Sequence, residues 1–274
     1  ALNEEEGRKM IDSARKNHVH LMVGHLLQYH PVFIELKNIV HNGGLGNVNY
    51  IYSNRLSFGK VRAEEDGLWS FAPHDIALFQ WIINSFPLNI SSNGVDILQN
   101  NVHDTTITSL AYEKKIMAHI FVSWLHPFKE HRIVVVGSKG MITFEDSSPN
   151  KELLFYAKGI DFVNGEPIKR DGATEVVDYE KEPPLQAEIT HFIECIESKT
   201  LESRISAEAG SDVLEILELA QQSLESGKAI KVEDHQSSKK QDSQYFLHNT
   251  AVVDKPCTIG ENTKIWHYSH VQKN

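Results

Sequence analysis

"VNYIYSNRLSF", residues 48–58, alternates: Val48, Tyr50, Tyr52, Leu56 and Phe58 return at every second place. That is the period of a strand with two unlike faces. From here to about residue 156 the chain keeps to strand-length segments. They read "LNISSNGVDIL", "DTTITSLAYE", "KIMAHIFVSWL", "EHRIVVVGSKGMITFED" and "KELLFYA". Turn residues separate them at Asn93-Gly94, Glu113 to Lys115, Gly137 to Gly140 and Ser147 to Asn150. Connections this short predict antiparallel neighbours. Three apolar helical patterns interrupt or follow the strands, over 68–83, 186–199 and 206–227, and they predict a helix layer on one face of the sheet.

Upstream of Val48 the rhythm differs. Asn3 is an N-cap with Glu6 as its capping-box partner, and Met10, Ile11 and Ala14 form a helical stripe. "VHLMVGHLL" then reads as a short buried strand, and "PVFIELKNIVHNGGLG" as a helix from Pro31 to about Gly43-Gly44. A helix–strand–helix unit belongs to an α/β layer, and one strand does not make a layer. The expectation is that the rest of it lies upstream.

The 274 residues carry a net charge of −10 with no basic run, which argues against a nucleic-acid partner. No apolar run is long enough for a membrane span, so no membrane partner is expected. Cys195 and Cys257 lie far apart without CxxC spacing, which points to reduced thiols in the cytoplasm. The fifteen histidines lack metal-ligand spacing; His25/His30 and His126/His131 are each five apart. No metal is expected.

Within "LWSFAPHDIALFQWII" (68–83), Pro73 suits a helix start and puts His74-Asp75 in its first turn. Read by themselves, Asp75 complements the helix dipole and His74 bonds a nearby carbonyl. The alternative is that His74 is an acid–base group. At the other end, the polar "EDHQSSKKQDSQ" reads as a linker, spanning 233–245. In 246–274 the aliphatics Val253, Ile259, Ile265 and Val271 recur at a six-residue period, with small residues at Cys257, Thr263 and Ser269. Such a period predicts the first coil of a left-handed parallel β-helix.

Taken in order, "GHLLQYHPVFIELKNIV", "GNVNYIYSNR", "LWSFAPHDIALFQWI", "SWLHPFKEHRIVVVGSKGMITFED" and "PLQAEITHFIECI" resemble the glucose-fructose/inositol dehydrogenase (Gfo/Idh/MocA) family of oxidoreductases. Within it the likeness is to UDP-N-acetylglucosaminuronate 3-dehydrogenase-like enzymes, and it covers roughly residues 1–232. The resemblance implies an α+β fold. A largely antiparallel sheet with helices on one face (29–232, substrate and oligomerisation) is attached to the last piece of a Rossmann α/β domain (1–28). It also implies NAD or NADP as cofactor, a sugar-nucleotide substrate, and a homo-oligomer formed through the sheet face. The family's Gly-rich fingerprint and Glu-Lys-Pro motif are not found here, so the chain is expected to begin past them and to be inactive alone. Residues 246–274 are similar to the opening of a hexapeptide-repeat sugar-nucleotide N-acetyltransferase.

By this resemblance His74 is the catalytic base over the sugar carbon being oxidised. Family members of the inositol type carry an aspartate one turn earlier, where this chain has Ser70. Gln28 and Tyr29, at the carboxyl end of the Rossmann-like strand, are cofactor candidates or a solvated loop. Arg55 and Lys129 are candidates to hold a carboxylate or diphosphate, or are surface charge. Trp124 stacks on a substrate ring or is core, and His126 stays undecided. Two other functions compete: acyl transfer with this segment as a coupling domain, and a non-catalytic oligomerisation scaffold.

Overall fold

A computed structural model describes residues 1–63, 65–198, 206–232, 245–247, 252–253, 263–265 and 269–271. The chain divides into two units, Ala1–Lys231 and Val232–Asn274.

The alternating stretch forms β1 (Val48–Phe58), at the middle of a nine-stranded sheet. It is followed by β2 (Asn89–Val95), β3 (Thr105–Ala111), β4 (Met117–Ser123), β5 (Leu125–Gly137), β6 (Met141–Glu145) and β7 (Leu153–Tyr156). A separate hairpin of β8 (Gly159–Val163) and β9 (Glu166–Arg170) turns at Asn164-Gly165, and β10 (Thr174–Val177) and β11 (Ile230–Lys231) complete the set. The sheet order is β10-β7-β6-β5-β1-β4-β3-β2-β11.

The expectation of antiparallel neighbours holds for most pairs and fails at one. β1 pairs parallel with β4, Tyr50 opposite Met117, and antiparallel with β5, Tyr52 opposite Val134. Although only Trp124 separates β4 from β5, the two are not a hairpin; β1 lies between them. The chain reverses over the end of β1, where Gly59 N–H donates to the Trp124 carbonyl at 3.2 Å. Asn93-Gly94, expected as a turn, lies inside β2 opposite Ile107 and Thr106. Glycine suits that position sterically, because a Cβ there would stand 2.8 Å from the Thr105 carbonyl oxygen. The turn comes later and is gathered by Asp104. Its buried carboxylate accepts from the N–H groups of Ile97 (2.7 Å) and Leu98 (2.9 Å) and from the Trp124 indole (2.5 Å).

Among the described residues five α-helices accompany the sheet: α1 (Glu4–Lys16), α2 (Pro31–His41), α3 (Gly67–Ile83), α4 (Pro184–Ser198) and α5 (Ala207–Ser226). α3 packs on β1, β3 and β4, and α5 packs on β2, α1 and α3. Ile51, Leu110, Ala118, Ile120, Val122, Ile133 and Val135 point into this contact and are buried. The opposite face carries Tyr50, Tyr52, His119 and Phe121, half-buried, with Ile107 and Met117 exposed. There Tyr52 and His119 stack at 5.0 Å, and the Tyr50 hydroxyl bonds His119 Nδ1.

The strand expected at "VHLMVGHLL" does not form. Residues 19–25 make a single antiparallel bridge, Met22 to Ser206, and Leu26–Tyr29 is a 3-10 turn. A strand exists only by its ladder, and this segment has no neighbouring strand among the described residues. Instead α1 lies against α5, through Arg15–Glu208 at 2.9 Å and a close approach of Gly7 to Leu214.

In the second unit, β12 (Tyr245–Leu247) pairs parallel with β14 (Thr263–Ile265), and β13 (Val252–Val253) with β15 (His270–Val271). The expected linker lies outside the described residues except for Tyr245, and so do Cys257 and Ile259.

Candidate active site

α3 begins six residues before Pro73, not at it. Asp66 is the N-cap, its Oδ1 accepting the Trp69 N–H at 3.0 Å, and Pro73 sits inside the helix. A good cap with apolar residues behind it outweighs the proline signal. His74 therefore stands in the second turn, and its side chain is exposed. Asp75 does not serve the helix dipole. It is completely buried and receives Arg55 from β1: Nε at 2.9 Å from Oδ2 and 3.2 Å from Oδ1, Nη2 at 3.1 Å from Oδ1. Two hydrogen-bonded edges make this a strong pair, and it fixes the second turn of α3 over β1.

Around it lies a group of imidazoles held neutral. His74 is lowered from its ordinary pKa, first by partial loss of hydration and then by Arg55, against the pull of Asp75. His25 is buried and pushed down to about 4, by burial and by His74. His131, opposite Arg55 in the β1–β5 register, is pushed down to about 4 by burial, Arg55 and Lys129. His30 is lowered by burial, with Asp146 opposing. His30, His131, Arg55, Arg132 and Asp146 line a cavity of about 40 Å³ with Leu27, Phe33, Ile133 and Phe144. Neither His30 nor His131 was singled out from sequence, where their five-residue spacings carried no periodic meaning.

The other candidates are placed as follows. Gln28 is buried; its Nε2 donates to the Ala77 carbonyl at 3.1 Å, while Oε1 has no partner among the described residues. Tyr29 is buried too, its hydroxyl 2.8 Å from His191 Nδ1, with His191 Nε2 3.6 Å from the free thiol of Cys195. Neither forms a solvated loop. Lys129 is exposed. Trp124 is 0% exposed with its indole N–H spent on Asp104, so it presents no face for a ring to stack on, a correction to that expectation. His126 folds locally onto the Phe128 carbonyl at 2.9 Å. Ser70 Oγ, one turn before His74, makes no hydrogen bond among the described residues. A further buried carboxylate was not anticipated from sequence. Glu188 on α4 stands against Gly24, its Oε1 has no partner among the described residues, and burial raises its pKa.

A mostly antiparallel sheet with helices on one face and a cluster of neutral bases and cations at the end of its central strand has the build of an oxidoreductase's C-terminal alpha/beta domain. Residues 37–233 match the oxidoreductase family, C-terminal alpha/beta domain (Gfo/Idh/MocA), and the chain belongs to that family. It is 26% identical over 198 residues to UDP-N-acetylglucosamine 3-dehydrogenase of Acidithiobacillus ferrooxidans, covering 71% of this chain and 59% of the relative. It is likewise 26% identical over 229 residues to trans-1,2-dihydrobenzene-1,2-diol dehydrogenase of Xenopus laevis, covering 78% and 65%. The chain thus spans less than two thirds of either relative. The solved structure of the Acidithiobacillus enzyme superposes with a TM-score of 0.69 at 23% identity, over 82% of this chain and 69% of that one, a likeness of fold.

The neutral histidines give the site a pH signature. His25 and His131 titrate near 4 when folded and near 6.5 in the unfolded chain, so between these values the unfolded state binds more protons. Stability is expected to be flat above about pH 6.5 and to fall as the pH drops from there toward 4. Glu145 and Asp146, whose pKa values are lowered, lose their contribution only at more acidic pH. Thermal unfolding at stepped pH checks this, and His25→Leu should flatten the slope. A midpoint constant down to about pH 4.5 would contradict it.

Proposed function

We propose that this chain handles the substrate in an NAD- or NADP-dependent cytoplasmic dehydrogenase that oxidises a secondary hydroxyl of a sugar or sugar nucleotide. His74 is its base. The observation that carries the reading is an exposed, neutral imidazole next to a buried carboxylate that is itself locked to Arg55. Alcohol oxidation requires removal of the O–H proton, and a base within hydrogen-bond reach of that oxygen does this if it is unprotonated at working pH. The backbone under His74 is pinned by Asp75, so the imidazole approaches substrate from a fixed turn. Membership of the family and the sugar-nucleotide dehydrogenase among its relatives support this substrate class.

The residues present do not fit the diphosphate of a dinucleotide. Such a group sits at a glycine turn that opens a helix. Here α1 opens on Asn3 with Glu4, Glu5 and Glu6 in its first turn, and the Gly137 to Gly140 turn joins two antiparallel strands. The cofactor is accordingly assigned to a dinucleotide-binding domain N-terminal to these residues.

Two further parts of the reading have their own support. The half-apolar open face of the sheet is proposed as a surface for a second copy of the chain. The second unit is proposed as the first coil of a left-handed β-helix, of the sugar-nucleotide N-acyltransferase kind. Its parallel pairs join residues 245 with 263 and 252 with 270, each 18 apart, which is three of the six-residue periods in the sequence.

The chain alone should not oxidise any sugar nucleotide. Fused to the dinucleotide-binding domain of a relative it should turn over, with an acid limb in kcat/KM displaced to the acid side of an ordinary imidazole, and His74→Ala should cost about a hundredfold or more. Near-full turnover with alanine would make His74 structural. Sedimentation should show a dimer or larger that Ile107→Glu with Met117→Lys dissociates; a monomer at high concentration opposes the shared face. Carrying the six-residue pattern on for several more coils should give cooperative melting of the second unit, and its absence removes the β-helix reading.

A further inference from the structure

A polar link crosses the contact between α4 and the 3-10 turn Leu26–Tyr29. Around it Tyr29 and Cys195 are buried together, with Met22 and Ala187 packed against them. His191 is set into this apolar patch. Its Nδ1 lies 2.8 Å from the Tyr29 hydroxyl, and its Nε2 lies 3.6 Å from Cys195 Sγ, one helical turn along the same face of α4. A neutral imidazole has one N–H to donate and one nitrogen to accept, so either tautomer suits both neighbours. An apolar side chain could fill the same space, but a hydrogen bond also fixes where the hydroxyl points.

The turn carries more than Tyr29. Side chains three apart on a 3-10 turn eclipse, so His25, its N-cap, and Gln28 share one side. That side meets α3: Gln28 Nε2 donates to the Ala77 carbonyl at 3.1 Å, and His25 is buried within the field of His74. Within the turn, the Gln28 N–H donates to the His25 carbonyl at 2.9 Å and the His30 N–H to the Leu27 carbonyl at 3.2 Å, with no side-chain cap. A single turn of this kind holds itself weakly. Its rotation is set from outside, by Ala77 on one side and His191 on the other. We infer that His191 is a positioning residue, which grips Tyr29 and thereby keeps His25 packed against α3 beside His74. This rests on the reading of His74 as the base.

The consequence is electrostatic. Held under cover, His25 titrates at about 4; released to water it would take a proton near 6.5. The titratable groups facing it are His74 on α3, which itself feels Asp75 and Arg55, and Glu188 on α4, whose carboxylate stands against Gly24. A proton on His25 repels one on His74. A loosened turn therefore weakens the base in acid and leaves it unchanged at higher pH, where both rings are neutral.

Histidine NMR titration of the whole chain tests this, with His25→Leu to assign the signal. The His25 midpoint should lie at about 4, and Tyr29→Phe, which removes one hydroxyl, should raise it at least halfway to 6.5. His191→Asn keeps a polar atom near the place of Nδ1 and should hold the midpoint low. His191→Gln reaches toward the place of Nε2 instead and should let it rise. If Tyr29→Phe does not fold, the contrast between asparagine and glutamine decides. A midpoint that stays low in all three variants, or rises equally with asparagine and glutamine, makes the link ordinary core packing and overturns the inference. In the fused enzyme Tyr29→Phe should keep kcat at about pH 8 and lose it severalfold below about pH 6. An equal loss at both pH values also overturns the positioning role. A wild-type fusion that is inert counts against the dehydrogenase reading alone, because the titration needs no turnover.

Discussion

A buried ion pair between Arg55 and Asp75 fastens the helix layer to the sheet where chemistry is expected. Desolvating both charges costs several kcal/mol each, and only good geometry with further hydrogen bonds recovers it. Here three N–H···O contacts do so. The pair ties the central strand to the second turn of α3 and so orients the neighbouring His74. It also presents the far edge of the guanidinium to the cavity. Its positive field, with burial, keeps His131 neutral. Removing either partner would leave a buried charge alone, which is why one strand, one helix and one cavity stand or fall together.

Much of the sheet was legible. Alternation and turn residues located β1 and β3 to β7 to within a few residues, because each strand has one buried face and the period of two records it. The hairpin β8–β9 was overlooked although Asn164-Gly165 is a strong turn signal, both residues having positive φ. Pairing was less legible. Nothing local in β1 states that it lies between β4 and β5, since register is set by strands some 65 to 85 residues away.

The site was legible by residue type more than by arrangement. His74 and Arg55 stood out, yet Arg55 could be read only as a free cation, because its partner lies 20 residues along on another element. Trp124 looked equally apt for stacking or for core, and the deciding fact, its bond to Asp104, is tertiary. His30 and His131 had no sequence signal beyond being histidines. They matter only because a helix cap and a strand bring them to one cavity wall. Pro73 misled by one and a half turns, since a proline tolerated inside a helix looks the same in sequence as one that starts it.

The place of β1 between two strands that follow one another so closely governs the order of assembly. β1 is synthesised well before either neighbour, and neither of its ladders can close until the chain has reached β4 and β5. Contacts of that sequence separation carry a large loop-closure cost and slow folding. Until then its alternating, aromatic-rich surface is an unpaired edge, open to other chains. The Arg55 that later meets Asp75 thus has a second part to play: it places a charge in an otherwise adhesive strand during the interval when nothing yet covers it.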